Sequence, residues 1–185
     1  MNPILLAFYK VYLLVIAPLF WVSNRLTVRH ILPDSIARSL EHLRMFLLRA
    51  QGLRAGAGVF IRTNFWCSNP RNLRLGTRGT IGINCQFYSF EKITIGNDFL
   101  IGSDVLIHTA EHVFKDPELP IIEQGSHYRP VVIGDNVYIG SRAIILPGVT
   151  IGSNLIIAAG AVVTTSLPSG YIYGGNPAKQ IKPLN

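Results

Sequence analysis

The run IGDNVYIGSRAIILPGVTIGSNLIIAAGAVV, residues 133–163, decides the fold, because an aliphatic side chain returns at every sixth position: Ile133, Ile139, Ile145, Ile151, Ile157 and Val163. Four residues after each of the first five come Val137, Ala143, Val149, Leu155 and Ala161, all apolar and mostly small. Three residues after four of them come Asn136, Gly148, Asn154 and Gly160, residue types that tolerate a left-handed backbone. An α-helix repeats at about 3.6 residues and an ordinary strand at about 2, so neither explains the pattern. A chain that turns a corner every six residues does. Each hexad supplies a short strand with its aliphatic residue pointing inward, and three hexads close a triangular coil of about 18 residues, stacked on the next at roughly 4.8 Å.

Working outward, Ile95, Ile101 and Ile107 keep the same interval with Asp98 and Asp104 at the corners, while Leu75, Ile81 and Phe87 form a third, shorter register. The register slips by two residues between Phe87 and Ile95. A uniform coil of about 18 residues predicts that Cys67 and Cys85 stack in one ladder. Two cysteines are too few for a disulfide scaffold and lack the paired spacing of a zinc site, so they read as reduced, buried thiols.

With its ending SLPSGYIYGGNPAKQIK, the stretch from Ile133 to Lys182 resembles the hexapeptide-repeat acyltransferases, which include galactoside, maltose, nodulation-factor, colanic-acid and streptogramin acetyltransferases. The resemblance extends over residues 75–182. It implies an all-β body, a left-handed parallel β-helix of hexapeptide repeats carrying an N-terminal α-helical segment, assembled as a homotrimer. Handedness rests on the resemblance alone, since the general rule for parallel crossovers gives the right-handed form.

The hexads stop after Ile107 and resume at Ile133, with HTAEHVFKDPELPIIEQGSHYRPVV between them, an inserted loop over residues 108–130. Excursions from a rigid repeat are where function concentrates, and this one holds His108, His112 and His127. An alcohol attacks a thioester only as its proton is being removed, and imidazole, with a pKa near 6.5, is matched to that task. Registering IGNDFLIGSDVLIHTAEH on the family pattern puts the catalytic histidine at His112 and leaves His108, His127 and Asn84 as substrate-binding candidates. Phe87, Tyr88 and Phe90 suit either a sugar-stacking role or core and trimer contacts. Glu111 and Asp116 are near in sequence, but nothing there assigns a carboxylate to orient His112. The resemblance places acetyl-coenzyme A, as co-substrate, in the groove between two subunits against Ser141, Ala159, Thr164, Lys179 and Lys182, and it implies no metal. Thr165 stands where many relatives have a lysine.

The N-terminal third differs in character. From Pro3 to Val22 the chain is almost wholly apolar, with Lys10 its only ionisable residue and Pro18 interrupting its last third. About 20 apolar residues can span a bilayer, and an interfacial helix fits equally well. It lacks the basic start and small-residue cleavage site of a signal peptide. Asp34 can cap a second helix with Ile36, Leu40, Leu43 and Leu47 on one face and Arg38, Arg44 and Arg49 elsewhere. Lys10, Arg25, Arg29, Arg38, Arg44, Arg49 and Arg54 face only Asp34 and Glu41 in this third, which therefore carries most of the net charge of +7. Charge confined to an apolar segment, without a recognition motif, points to a membrane surface through residues 1–50 and away from nucleic acid.

The division expected is thus 1–54, helical and membrane-associated, and 55–185, the β-helix domain with its loop and C-terminal tail. The expected function is O-acetyl transfer from acetyl-coenzyme A to a sugar hydroxyl of a bacterial surface polysaccharide or its lipid-linked precursor, at the cytoplasmic side of the inner membrane. A streptogramin-type xenobiotic acetyltransferase, a zinc enzyme of the γ-carbonic-anhydrase type and a non-catalytic scaffold are the alternatives.

Overall fold

A computed structural model describes residues 34–184, together with Leu14, Val15 and Pro18. The expectation of a membrane-associated helix over residues 3–22 therefore lies outside the described residues, apart from those three. Among the described residues no helix is long and apolar enough to cross a membrane. One α-helix, α1 (Asp34–Ala50), leads into the body.

The body is a left-handed parallel β-helix of short strands, each ended in the first five coils by a corner after two or three residues. Its first coil is β1 (Arg54–Ala55), β2 (Val59–Ile61) and β3 (Trp66–Cys67). The second is β4 (Leu73–Leu75), β5 (Gly79–Ile81) and β6 (Gln86–Tyr88), and the third is β7 (Ile93–Ile95), β8 (Leu100–Ile101) and β9 (Leu106–His108). A hairpin of β10 (Ala110–His112) and β11 (Ser126–Tyr128) projects next. The fourth coil is β12 (Val131–Ile133), β13 (Val137–Ile139) and β14 (Ile144–Ile145), and the fifth is β15 (Thr150–Ile151), β16 (Leu155–Ile157) and β17 (Val162–Val163). A partial sixth coil contains β18 (Tyr171–Gly174), and β19 (Lys179–Pro183) folds back antiparallel on it. The equivalent strands form three sheets: β1-β4-β7-β12-β15, then β2-β5-β8-β13-β16-β18-β19, then β3-β6-β9-β14-β17.

The hexad aliphatics form the inward ladders. Ile81, Ile101, Ile139 and Ile157 stack in the second sheet, and Phe87, Ile107, Ile145 and Val163 in the third, all at most 2% exposed. The corners adopt the left-handed backbone expected of them, with φ of 53° at Asn136, 54° at Asn154, 57° at Asp98 and 60° at Asp104. Arg142, at φ 63°, and Arg78, at φ 53°, do the same without being of the favoured residue types. A further set of corner side chains closes the turns: Asn97 Oδ1 accepts from Thr77 N at 2.9 Å, Asp135 Oδ1 from Asn97 N at 2.6 Å, and Ser153 Oγ from Asp135 N at 2.9 Å.

Two expectations fail. The early coils advance by 20 residues, as in the pairs Arg54 with Arg74 and Gln86 with Leu106, and only the later coils advance by 18, as in Tyr138 with Ile156. Two extra residues enter at the corner between the third and first sheets, so Cys67 pairs with Phe87 rather than stacking on Cys85. Both thiols are free, and burial pushes Cys67 up to about 12 and Cys85 up to about 11. Arg44 also moves: it lies on the buried face of α1 beside Leu47 and Leu48, and its Nη1 donates to the Ile61 carbonyl at 2.7 Å. Burial draws its guanidinium down to about 10, still cationic at neutral pH. The hydrogen bond to an edge carbonyl of the first coil is the physical reason a cation is accepted there.

Candidate active site

The corner that takes two extra residues in the early coils is the corner from which the hairpin leaves. Small polar side chains hold it together. Ser89 and Thr109 are fully buried there. Ser89 Oγ donates to the Asn69 carbonyl at 3.0 Å, Thr109 Oγ1 donates to the Tyr88 carbonyl at 2.7 Å, and Glu91 N donates to Thr109 Oγ1 at 2.9 Å. Thr109 is thus the fixed point from which β10 starts, and its carbonyl accepts the returning Arg129 N at 2.8 Å.

His112 ends β10 and is exposed. Its register partner across the hairpin is Ser126, whose hydroxyl lies 3.3 Å from His112 Nδ1. When Nδ1–H donates to that hydroxyl, Nε2 carries the free lone pair, the state a general base needs. The imidazole contact is with Ser126 and not with Glu111, whose Oε1 instead accepts from Arg129 in an ion pair that ties β10 to the residue after β11. Asp116 is equally committed elsewhere, its Oδ1 accepting from Glu118 N at 2.9 Å. The loop beyond is organised by Gln124, which donates to the carbonyls of Asp116 and Leu119 at 2.7 and 2.8 Å. Its tip turns Phe114, Ile121 and Ile122 outward, Ile122 at 88% exposure.

His108 belongs to the third sheet itself. It stacks on Tyr88 with centroids 4.5 Å apart and planes within 6°, and burial lowers its pKa, so it is neutral at pH 7. His127 is exposed on β11, opposite Glu111. The three histidines do not converge, and no cluster of metal-ligating side chains exists among the described residues.

The remaining candidates flank the same sheet. Asn84, at φ 59°, sits at the corner entering it, accepting from Asn64 Nδ2 at 2.7 Å and donating to Asp104 Oδ1 at 3.1 Å. Ser141 and Ala159 continue that corner on the fourth and fifth coils: the Ser141 carbonyl accepts from Gly160 N at 2.9 Å, and its hydroxyl accepts from Ser103 N at 3.1 Å. Gly140 must be glycine, because a Cβ there would lie 2.4 Å from Ala159 N. Thr164 is exposed just past β17, and Lys179 and Lys182 are exposed on β19. Within one chain, then, the Asn84–Ser141–Ala159 corner and the His112 hairpin stand at opposite edges of the third sheet. Phe87 is core, edge-on to Phe65 at 5.2 Å, and Phe90 is exposed near Tyr128 at 6.2 Å. Thr109, Ser126, Arg129 and the pairing of Tyr88 with His108 escaped the sequence reading. The early 20-residue coil was the one signal that could have found the last of these.

Comparison with known proteins agrees with this architecture. Residues 130–165 match the family described as bacterial transferase hexapeptide (six repeats). Nodulation protein L of Rhizobium meliloti strain 1021 is 39% identical over 147 residues, covering 79% of this chain and 78% of that protein. A putative colanic acid biosynthesis acetyltransferase of Escherichia coli K12 is 32% identical over 143 residues, covering 77% and 76%. Among solved structures, a galactoside acetyltransferase in complex with coenzyme A superposes with a TM-score of 0.75 at 26% identity, covering 92% of this chain and 79% of that one. A hexapeptide-repeat acetyltransferase of Vibrio cholerae O1 biovar eltor, complexed with acetyl-coenzyme A, gives the same TM-score at 26% identity, covering 92% and 85%.

Proposed function

We infer that this chain, which belongs to the hexapeptide-repeat acetyltransferases, moves an acetyl group from acetyl-coenzyme A to a hydroxyl of a bacterial surface glycan or its lipid-linked precursor, with His112 as general base. The carrying observation is the exposed imidazole at the end of β10, anchored through Thr109 to the rigid prism and backed by the Ser126 hydroxyl. The acetyl donor follows from relatives that hold coenzyme A or acetyl-coenzyme A.

In the reaction, His112 Nε2 takes the acceptor hydroxyl proton as that oxygen adds to the thioester carbonyl. The C–S bond of the tetrahedral adduct then breaks, and the imidazolium returns the proton to the departing thiolate. A backbone N–H or a hydroxyl holds the oxyanion. Ser141 and Ala159 offer a small-residue corner along which the pantetheine arm can lie, Thr164 borders it, and Lys179 and Lys182 meet the phosphates as point charges.

The working unit is a homotrimer in this reading. Leu106, Ile144 and Val162 form a half-buried aliphatic stripe on the outside of the third sheet, while Leu100 and Tyr138 lie on the outside of the second at 51% and 41% exposure. Two unlike apolar faces on one prism pair head to tail, and a threefold arrangement closes that pairing. A second copy also brings the hairpin of one chain to the corner of the next, joining the two separated halves of the site. In this reading the apolar run from Pro3 to Val22 and the arginines that follow it bring the trimer to a membrane, which favours a lipid-linked acceptor.

The test is incubation of purified protein with labelled acetyl-coenzyme A and a membrane glycolipid extract. Labelled carbohydrate is expected from the native protein, with turnover falling about 10²–10⁴-fold in His112→Ala while coenzyme A binding persists. Undiminished turnover by that variant refutes the assignment.

A further inference from the structure

On the outer face of the third sheet, at the level of the first two coils, Asn64, Trp66, Gln86 and Tyr88 line a shallow groove. A column of three flat side chains runs from the third coil to the first, two of them lining the groove: His108 stacks on Tyr88, and Tyr88 lies against Trp66 with centroids 5.0 Å apart and planes tilted by 59°. Trp66 ends the column and is 45% exposed. We propose that this groove is a glycan subsite, in which a hexose ring of the acceptor, remote from the hydroxyl being acetylated, lies against the Trp66 indole.

The hydrogen-bonding state of the two amides supports a polyol rather than a hydrocarbon occupant. Asn64 Nδ2 donates to Asn84 Oδ1 at 2.7 Å, which leaves Asn64 Oδ1 as an acceptor. Gln86 Oε1 accepts from the Tyr88 hydroxyl at 3.2 Å, which leaves Gln86 Nε2 as a donor. A free acceptor and a free donor flanking an aromatic surface suit hydroxyl groups, which both donate and accept. The C–H hydrogens of a pyranose face carry partial positive charge and are drawn to the negative face of an indole.

The polarity of the sheet changes along its length in the same sense. Its outward column reads Trp66, Gln86, Leu106, Ile144, Val162 in register, aromatic and polar on the first coils and aliphatic on the later ones assigned above to the trimer contact. The Trp66 indole stands on the first coil, two coil spacings or roughly 10 Å from the coil after which the hairpin leaves, so the ring lying on it is not the ring presented to His112, and an extended chain is needed to reach both. The subsite rests on the reading of a carbohydrate acceptor and narrows it to oligosaccharide.

Two measurements separate this inference from that reading. In the 185-residue chain carrying Trp21→Phe, Trp66 is the sole tryptophan, and its fluorescence is titrated with maltotetraose and chitotetraose against glucose and N-acetylglucosamine. Acetyl transfer to the same four sugars is assayed in parallel. Saturable quenching by a tetrasaccharide, at concentrations where its monosaccharide is silent, is the expected result. Trp66→Ala should raise the tetrasaccharide KM roughly tenfold and leave those for the monosaccharide and acetyl-coenzyme A unchanged, with Trp66→Phe restoring most of the loss. Transfer to a tetrasaccharide with no fluorescence response, or an equal KM change for long and short acceptors, overturns the subsite and leaves the acetyl-transfer reading intact. Neither quenching nor transfer with any of the four overturns both.

Discussion

Arg142 holds a φ of 63° at the corner between Ile139 and Ile145, a conformation that costs a non-glycine residue about 1–2 kcal/mol. Glycine removes that cost but adds freedom to the unfolded chain, so Arg142→Gly is expected to stabilise by at most about 1 kcal/mol, a rise of roughly 2–4 °C in Tm by thermal melting. Arg78 shares the conformation but makes a two-pronged contact with Asp98, at 2.6 and 2.7 Å, so Arg78→Gly should gain less. At Asn136, Gly148, Asn154 and Gly160 the residue type announced the corner. At the two arginines it could not, because the corner demands a backbone angle and only biases which residue supplies it. The same distinction bears on Asn84, which is both a corner residue and a link between Asn64 and Asp104.

At the scale of the element, the hairpin carries the proposed base. Glu111 and Arg129 are partly exposed, and such a pair contributes under about 1 kcal/mol to folding. Yet it fixes the start of β10 against the end of β11, and His112 is one residue away. Arg129→Ala is expected to leave Tm within about 2 °C, to lower kcat several-fold and to leave the KM for acetyl-coenzyme A unchanged, and a steady-state assay beside a melting curve checks both halves. The coils were legible because their cores repeat, whereas the hairpin register, Ala110 with Tyr128 and His112 with Ser126, obeys no period and left no mark in the sequence. The corner that carries two extra residues in early coils explains the misplaced cysteines: inward positions were correctly identified, but their stacking partners depend on how many residues each corner consumes. Helix α1 misled in another way, since a hydrophobic stripe ranks positions by polarity and cannot foresee that the Ile61 carbonyl would receive Arg44.

For the whole molecule, a solenoid is stabilised by contacts between neighbouring coils, so its outer faces are free to serve assembly. Ile144 is half-buried at the centre of the aliphatic stripe on the third sheet. Ile144→Glu is expected to shift sedimentation from trimer to monomer, to abolish acetyl transfer and to leave the far-UV spectrum unchanged; a trimer that persists would mean the chains meet elsewhere. The prism and its inward ladders were legible from the hexads alone. The proposed joining of two half-sites was not, because it would depend on a surface that a second chain completes.

The antiparallel return of β19 onto β18 has a further effect. A stack of parallel rungs presents, at its last rung, a row of unsatisfied amides and carbonyls that would template another prism and so begin a fibril. Here the final strand reverses direction, is exposed along its whole length and bears Lys179 and Lys182, so the second sheet ends in a charged strand of the wrong polarity for continuation. Lys179 and Lys182, proposed above as partners of the coenzyme phosphates, therefore also sit on the strand that ends the stack, and neutralising both is expected to favour growth of filaments.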